Sequence, residues 1–357
     1  MSNYSSLIFI LFIFCFQQFI YSSASDNNTI NKTLRSRQEI TLGPVIGKVT
    51  ERTARILVEF KKSGHITMFL KEVSTKKKRP NRKKPKNIRR TLRVVANTPI
   101  VFKFRNLHRG RKYVISFSPK LKTKSGLIAS FRTLRGKITL NKKFNLIFLS
   151  CNDIRYAELM PKQAQLWNQM SLRAQKGEID YIFHIGDQIY ADHDAWIANT
   201  DNVYTKAKLM AKNTHYSKYE QFKEIIREML RNEFRRTWGF QALAKVLSLV
   251  PNEMMFDDHE FYDGFGFFGT QAAYNDITSF EHYYSRQARY VYYQYERQLR
   301  EDIDFKNYEK TKDEYYNEIF NGVGFLVMDS RGPKTFHKIL GIMLQILKLD
   351  INKLKTI

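Results

Sequence analysis

Cysteine is nearly missing from this sequence. The 357 residues hold two, and Cys15 lies inside an N-terminal apolar run, so the rest of the chain keeps Cys151 alone and can close no internal disulfide. Glycine (16) and proline (8) are too sparse for a collagen-like chain, and 43% hydrophobic with 26% charged residues excludes a wholly disordered one. There is no GxSxG elbow, no P-loop and no internal repeat, which argues against a serine-triad hydrolase, a P-loop nucleotidase and a solenoid. After the N-terminal run no segment approaches the about 20 apolar residues of a membrane-spanning helix. Acids are the last scarcity: 34 Asp and Glu face 60 Lys and Arg, a formal charge of +26 that favours polyanionic partners.

What is present divides the chain unevenly. From Lys71 to Arg93 there are twelve bases and one acid, Glu72, together with Pro80 and Pro85 and almost no apolar side chain. Like charges repel there and nothing offsets the entropy of ordering, so the stretch predicts a mobile basic loop. Two readings of it stand open: a solvated loop inflated by a lysine-rich coding bias, or a site for nucleic acid, anionic lipid or polyphosphate. Residues 283–300 interleave tyrosine with arginine, but their helical spacing favours a packed amphipathic helix, and no specific nucleic-acid partner is expected.

The N-terminus bears on the compartment. Residues 7–16 read LIFILFIFCF, signal-peptide length, and Ser22 and Ala24 supply a small-x-small pattern that places cleavage after Ala24. No base precedes the run, and extending it to Tyr21 gives an uncleaved anchor as the alternative. Asn27-Asn28-Thr29 and Asn31-Lys32-Thr33 are glycosylation sequons in a polar lead-in, residues 25–40. The expectation is a secreted glycoprotein with no transmembrane domain after cleavage. In such a chain Cys151 is an intermolecular disulfide partner, a buried inert residue or a ligand.

Between residues 41 and 135, short apolar runs at 54–60, 66–70, 92–95, 100–104, 113–117 and 128–131 alternate with turn residues, Gly43-Pro44 among them. This rhythm predicts a small β-sandwich carrying the basic loop. From Phe144 the pattern changes. FNLIFLS and YIFHIGD read as fully buried strands joined by a helix near 162–175; NEMMFDDHE follows a helix near 218–230, and GVGFLVMDSR is a fourth run. Strand, helix, strand is α/β architecture, in which ligands gather outside the carboxyl ends of the strands.

Those ends carry the chemistry: Cys151 with Asn152 and Asp153, Asp187 with Tyr190, Asp257-Asp258-His259-Glu260, and Asp329 with Arg331. Carboxylates brought together at one rim repel unless a cation neutralises them, so the clustering predicts a metal. His184 sits in an apolar run and reads as a satisfied core histidine. Asp192, His193 and Asp194 follow on a polar loop and read as solvated or as a layer behind the ligands. Tyr190 could equally be a packed aromatic, and Arg155 and Arg331 could hold phosphate oxygens or simply close salt bridges.

In order and spacing, SCND, GDQIY, FDDHEFYDGFG and DSR resemble the alkaline phosphatase D (PhoD-like) family of metallophosphoesterases, and GPVIGKVTERTARILVEF is similar to the opening of the β-sandwich that precedes its catalytic domain. The resemblance runs from about residue 41 to 345. It implies a metallophosphoesterase-like layered sheet over 144–357 and a two-metal site acting on phosphate mono- or diesters through a metal-activated hydroxide. Cys151 and Tyr190 would bind a ferric ion, Asp187 would bridge, and Asp258 would hold the second ion, calcium. His259 would protonate the leaving group or stabilise the transition state, with Arg155 and Arg331 on the phosphate. The family pattern goes on to a late GDxH-type segment. Here the closing residues offer only His337 and Asp350, so the expectation is an incomplete sheet and weakened metal coordination, with a catalytically impaired, secreted polyanion-binding homologue as the alternative.

Overall fold

The computed structural model describes residues 38–73, 87–136, 143–155, 164–192, 202–266, 275–310, 314–320 and 323–331. The expected signal peptide, most of the polar lead-in, His193, Asp194, His337 and Asp350 lie outside them.

The first half folds as two antiparallel sheets. β1 (Ile40–Val49), β2 (Ala54–Phe60) and β5 (Ile100–Phe104) form one, in the order β1-β2-β5. β3 (Gly64–Glu72), β4 (Asn87–Val94), β6 (Lys112–Ser118) and β7 (Ser130–Arg132) form the other, in the order β4-β3-β6-β7. Period-two alternation does the building: Ile66, Met68 and Leu70 of β3 and Tyr113, Ile115 and Phe117 of β6 join Ile56, Val58 and Phe60 of β2 in one apolar cluster. Gly43-Pro44 is no turn. It lies within β1, where the pairing with β2 shifts register between Leu42 and Val45, a bulge that the strand absorbs. The basic stretch is also less of a loop than its charge predicts, since Lys71 ends β3 and Arg89, Arg90 and Arg93 sit in β4; residues 74–86 lie outside the described ones.

In the second half β8 (Leu146–Leu149), β9 (Tyr181–Ile185) and β10 (Asn252–Met255) make a parallel sheet ordered β10-β9-β8. Its connections include helices α1 (Ala164–Lys176), α2 (Val203–Ala211), α3 (Lys223–Gly239) and α4 (Gln241–Leu247). β9 and β10 are buried as expected, but β8 is only half covered, with Phe148 54% exposed; both β8 and β10 are edge strands, and β10 is covered by β1 and the segment around residues 293–300. The fourth run does not extend this sheet. β12 (Val323–Val327) pairs antiparallel with β11 (Tyr316–Phe320), and Phe325 of this hairpin stacks on Phe183 at 5.0 Å.

The tyrosine-rich segment is helical and packed: α5 (Phe280–Tyr292) runs into a π-turn, Tyr293–Arg297, buried on all sides. Within that turn both carboxylate oxygens of Glu296 are buried without a hydrogen-bond partner. The two halves are joined tightly. Asn252 Nδ2 donates to Ile46 O at 3.0 Å, and the Arg55 guanidinium bonds Glu301 O at 2.6 Å and Asp302 at 2.7 Å. Among the described residues no sheet closes into a barrel and no helix is long and apolar enough to cross a membrane.

Candidate metal centre

β8 and β9 end in the same unusual way. Cys151 and Asp187, the residues just past their carboxyl ends, both adopt a left-handed backbone, with φ of +56° each, which turns the chain sharply off the sheet. The two turns are stitched together: Cys151 N donates to Gly186 O at 3.3 Å and Asn152 N to Asp187 O at 2.8 Å. The Cys151 thiol thereby comes within 3.4 Å of Asp187 Oδ2, and Tyr190 closes a side-chain hydrogen bond to the same sulfur.

From β10 come Asp258 and His259. Ligand atoms of Asp187, Asp258 and His259 lie within 4.8 Å of one another, and the His259 amide donates to Asp187 Oδ1 at 3.3 Å. The Tyr190 ring stacks on His259 with centroids 4.2 Å apart. Asp187 thus touches Cys151 on one side and the Asp258–His259 pair on the other.

The electrostatics are those of donors waiting for a cation. Burial, with the charges of Asp257 and Asp258 added and partly countered by His259, pushes Asp187 up to about 6. Burial and the Asp187 charge likewise raise Cys151 and Tyr190 above their ordinary values. Thiol, phenol and carboxyl therefore all hold their protons more tightly than in water. A cation among them would reverse every one of these shifts, so the donor set fits a metal.

Two acids act from behind. Glu260, 1% exposed, accepts the amides of Asp187 at 3.1 Å, Asp257 at 2.8 Å and Gln188, tying the end of β9 to the end of β10. Asp192 is not solvated: its side chain is 4% exposed and its Oδ1 lies 2.8 Å from His259 Nδ1. Burial lowers the His259 pKa, but the hydrogen bond and charge of Asp192 outweigh it and lift the ring to about 9. His184 is the satisfied core histidine its setting predicts, 2.7 Å from Gln188 Oε1 and 2.9 Å from Asn252 Oδ1.

The arginines are engaged. Arg155 bonds Asp153 Oδ1 at 3.1 Å and Tyr190 O at 3.1 Å; Arg331 pairs with Asp257, with Asp258 Oδ1 at 3.1 Å and with Phe265 O at 3.3 Å. Arg331 is brought to the rim although β12 belongs to a separate hairpin, and Asp329 steadies it by accepting its amide at 2.9 Å.

No family model and no curated protein matches the chain. A solved structure described as "Structure of PhoD" superposes with a TM-score of 0.54 at 16% identity, covering 83% of this chain and 52% of that one. The fold is PhoD-like. This chain spans about half the length of that PhoD structure. A cycloisomaltooligosaccharide glucanotransferase from Paenibacillus sp. also aligns, over 61% of this chain and 28% of that one at 6% identity, but its TM-score of 0.22 is too low to carry an argument.

Asp192 and Glu260 are the residues that sequence reasoning undervalued. Glu260 lies inside the DDHE motif, and Asp192 follows GDQIY by two residues. Their signal was an acid within two residues of a ligand, which spacing alone cannot tell from a solvated one.

Proposed function

We propose that this chain is a metal-dependent phosphoesterase, secreted after loss of its N-terminal run, acting on phosphate mono- or diesters at a two-metal site. The observation that carries the reading is the junction at Asp187, which meets the Cys151 and Tyr190 donors on one side and Asp258 and His259 on the other. In this reading the first two sheets are a small β-sandwich over 41–135, and the β8–β10 sheet belongs to a metallophosphoesterase-like layer over 144–357.

Cys151 and Tyr190, as anionic thiolate and phenolate, would suit a trivalent ion such as iron, Asp258 would offer oxygen to a harder ion such as calcium, and Asp187 would be shared between them. Such ions, when bound, neutralise phosphate charge and acidify water. The chain's own contribution is proton handling and orientation. Asp192 holds His259 Nδ1 and so orients the ring, from which a proton at Nε2 would pass to a departing alkoxide. Glu260 keeps the two strand ends at a fixed separation while this happens.

A second reading, a catalytically impaired homologue, draws on one observation: Arg155 and Arg331 are already committed to internal partners, so neither is free to receive phosphate. Elemental analysis of the purified protein, with turnover of bis-p-nitrophenyl phosphate and p-nitrophenyl phosphate, separates the two. The phosphoesterase reading expects bound iron, ester hydrolysis, and loss of both in Asp187→Asn. Cys151→Ser should lose iron and any thiolate charge-transfer colour. Bound metal without turnover supports the second reading, and a protein that takes up no metal overturns both.

A further inference from the structure

The positive charge of this protein is segregated. Between Val73 and Asn152 there are twenty-four Lys and Arg and no Asp or Glu, so this stretch carries +24 of the formal +26 and the remainder of the chain is close to neutral. A lysine-rich coding bias would spread its excess along the chain. An excess held in one segment, with acids kept out of eighty consecutive residues, is a property of a surface.

The register of the four-stranded sheet shows where that surface lies. Pairing sets Lys112 opposite Arg132, Lys71 opposite Val114 and Asn87, and Arg89 opposite Phe69. Each strand therefore supplies one exposed cation to a single oblique row, Arg132–Lys112–Lys71–Arg89, which crosses β7, β6, β3 and β4 in their spatial order. At ~4.8 Å between strands and ~3.4 Å per residue the row is roughly 20 Å long, and Arg93 extends it along β4 by about 14 Å. The same strands turn their alternate residues, Met68, Leu70 and Tyr113, into the core, so the cations share the outward face. The one acid of the four strands, Glu72, is buried on the inward side against His108. Among the described residues Lys71, Arg89, Arg93 and Lys112 have no ion pair.

Like charges set opposite and diagonal on a sheet weaken it. We propose that this face binds a sulphated glycosaminoglycan chain laid along the row. Charge complementarity requires a polyanion, and the rest of the face selects among polyanions. Its aromatic rings are the half-buried Phe69 and the exposed His65 opposite Arg93, about 14 Å apart along β3, so bases have no continuous stacking ladder. Its exposed apolar side chains, Val73 and Val95, stand singly just beyond β3 and β4 at opposite ends of the face, and so make no apolar patch to enter a bilayer. A linear sulphated polymer needs only regularly spaced cations beside hydroxyls, which Thr67, Thr91 and Ser116 provide. The proposal is independent of the metal site.

The test uses the full-length chain and a heparin dodecasaccharide, titrated at several salt concentrations. The face variant Lys71→Gln/Arg89→Gln/Arg93→Gln/Lys112→Gln should lose at least tenfold in affinity and flatten the salt dependence. The control Arg105→Gln/Lys120→Gln/Lys122→Gln/Lys124→Gln removes the same charge from the same acid-free segment and should lose less than threefold. The face variant should also melt no lower than the parent, since it relieves repulsion. Equal losses in the two variants, no dodecasaccharide binding at physiological salt, abolition of binding by deleting residues 74–86 alone, or tighter binding to single-stranded RNA or phosphatidylserine vesicles would each overturn the assignment.

Discussion

Glu260 accepts amides from two strand ends, so removing its charge should loosen a site that it does not itself enter. In Glu260→Gln one carboxylate oxygen becomes an amide NH2, a donor where an acceptor stood, and at least one buried N–H loses its partner. The expected cost is about 2–4 kcal/mol in chemical denaturation and roughly 10–100-fold in metal affinity. Titration of the stripped protein with iron or calcium would show it, and an unchanged metal affinity would reduce Glu260 to a packing role. At this scale Cys151, Asp187, Tyr190, Asp258 and His259 could be picked out as candidates because spacing sets them within short motifs. Asp192 and Glu260 were not, because their roles depend on contacts between chain segments 67 and 72–73 residues apart, His259 in one case and the Asp187 and Gln188 amides in the other.

The elements explain why the two strand ends can meet at all. Gly186 has φ +113°, and a Cβ there would lie 2.4 Å from Asp257 Cβ and 2.8 Å from its amide nitrogen. Gly186→Ala therefore combines a strained backbone with a clash against backbone atoms that cannot rotate away. It should lower stability by about 2–4 kcal/mol and abolish metal uptake; a thermal melt and metal analysis of the same sample would check both. Buried strands such as β9 and β10 could be read from their unbroken apolar runs. β8 could not be told from them, since β8 and β10 are both edge strands and differ in whether other elements cover them, which composition does not show. The same holds for GVGFLVMDSR, whose partner β11 has the mixed sequence YNEIF. Gly43-Pro44 misled for a related reason: a bulge and a turn use the same residues.

For the whole molecule, the β11–β12 hairpin turns one apolar side inward onto Phe183 and leaves another outside. Ile319 is 75% exposed, Leu326 72% and Met328 70%, with Tyr315 beside them. Uncovered apolar groups on an unpaired hairpin favour association. The chain should show concentration-dependent mass in light scattering, and Ile319→Lys with Leu326→Lys should return it toward 42.4 kDa. A monodisperse monomer at every concentration would show the face to be harmless. The α/β character and the two antiparallel sheets were visible in the periodicities, whereas this exposure was not, because it depends on which strands find neighbours.

The buried π-turn has a consequence for folding itself. Glu296 has neither hydrogen-bond partner nor solvent, and burial, with Glu260, Glu314 and Asp187 adding their charges, raises its pKa well above 4.5. An acid whose pKa rises on folding draws a proton from solution whenever the pH lies between the two values, and its contribution to stability falls as pH climbs through that window. Folding of this chain is thus also a small titration. Refolding in weak buffer at mildly acidic pH should therefore take up protons and turn an indicator dye toward its basic colour, and Glu296→Gln should reduce the uptake while making the protein more stable at alkaline pH.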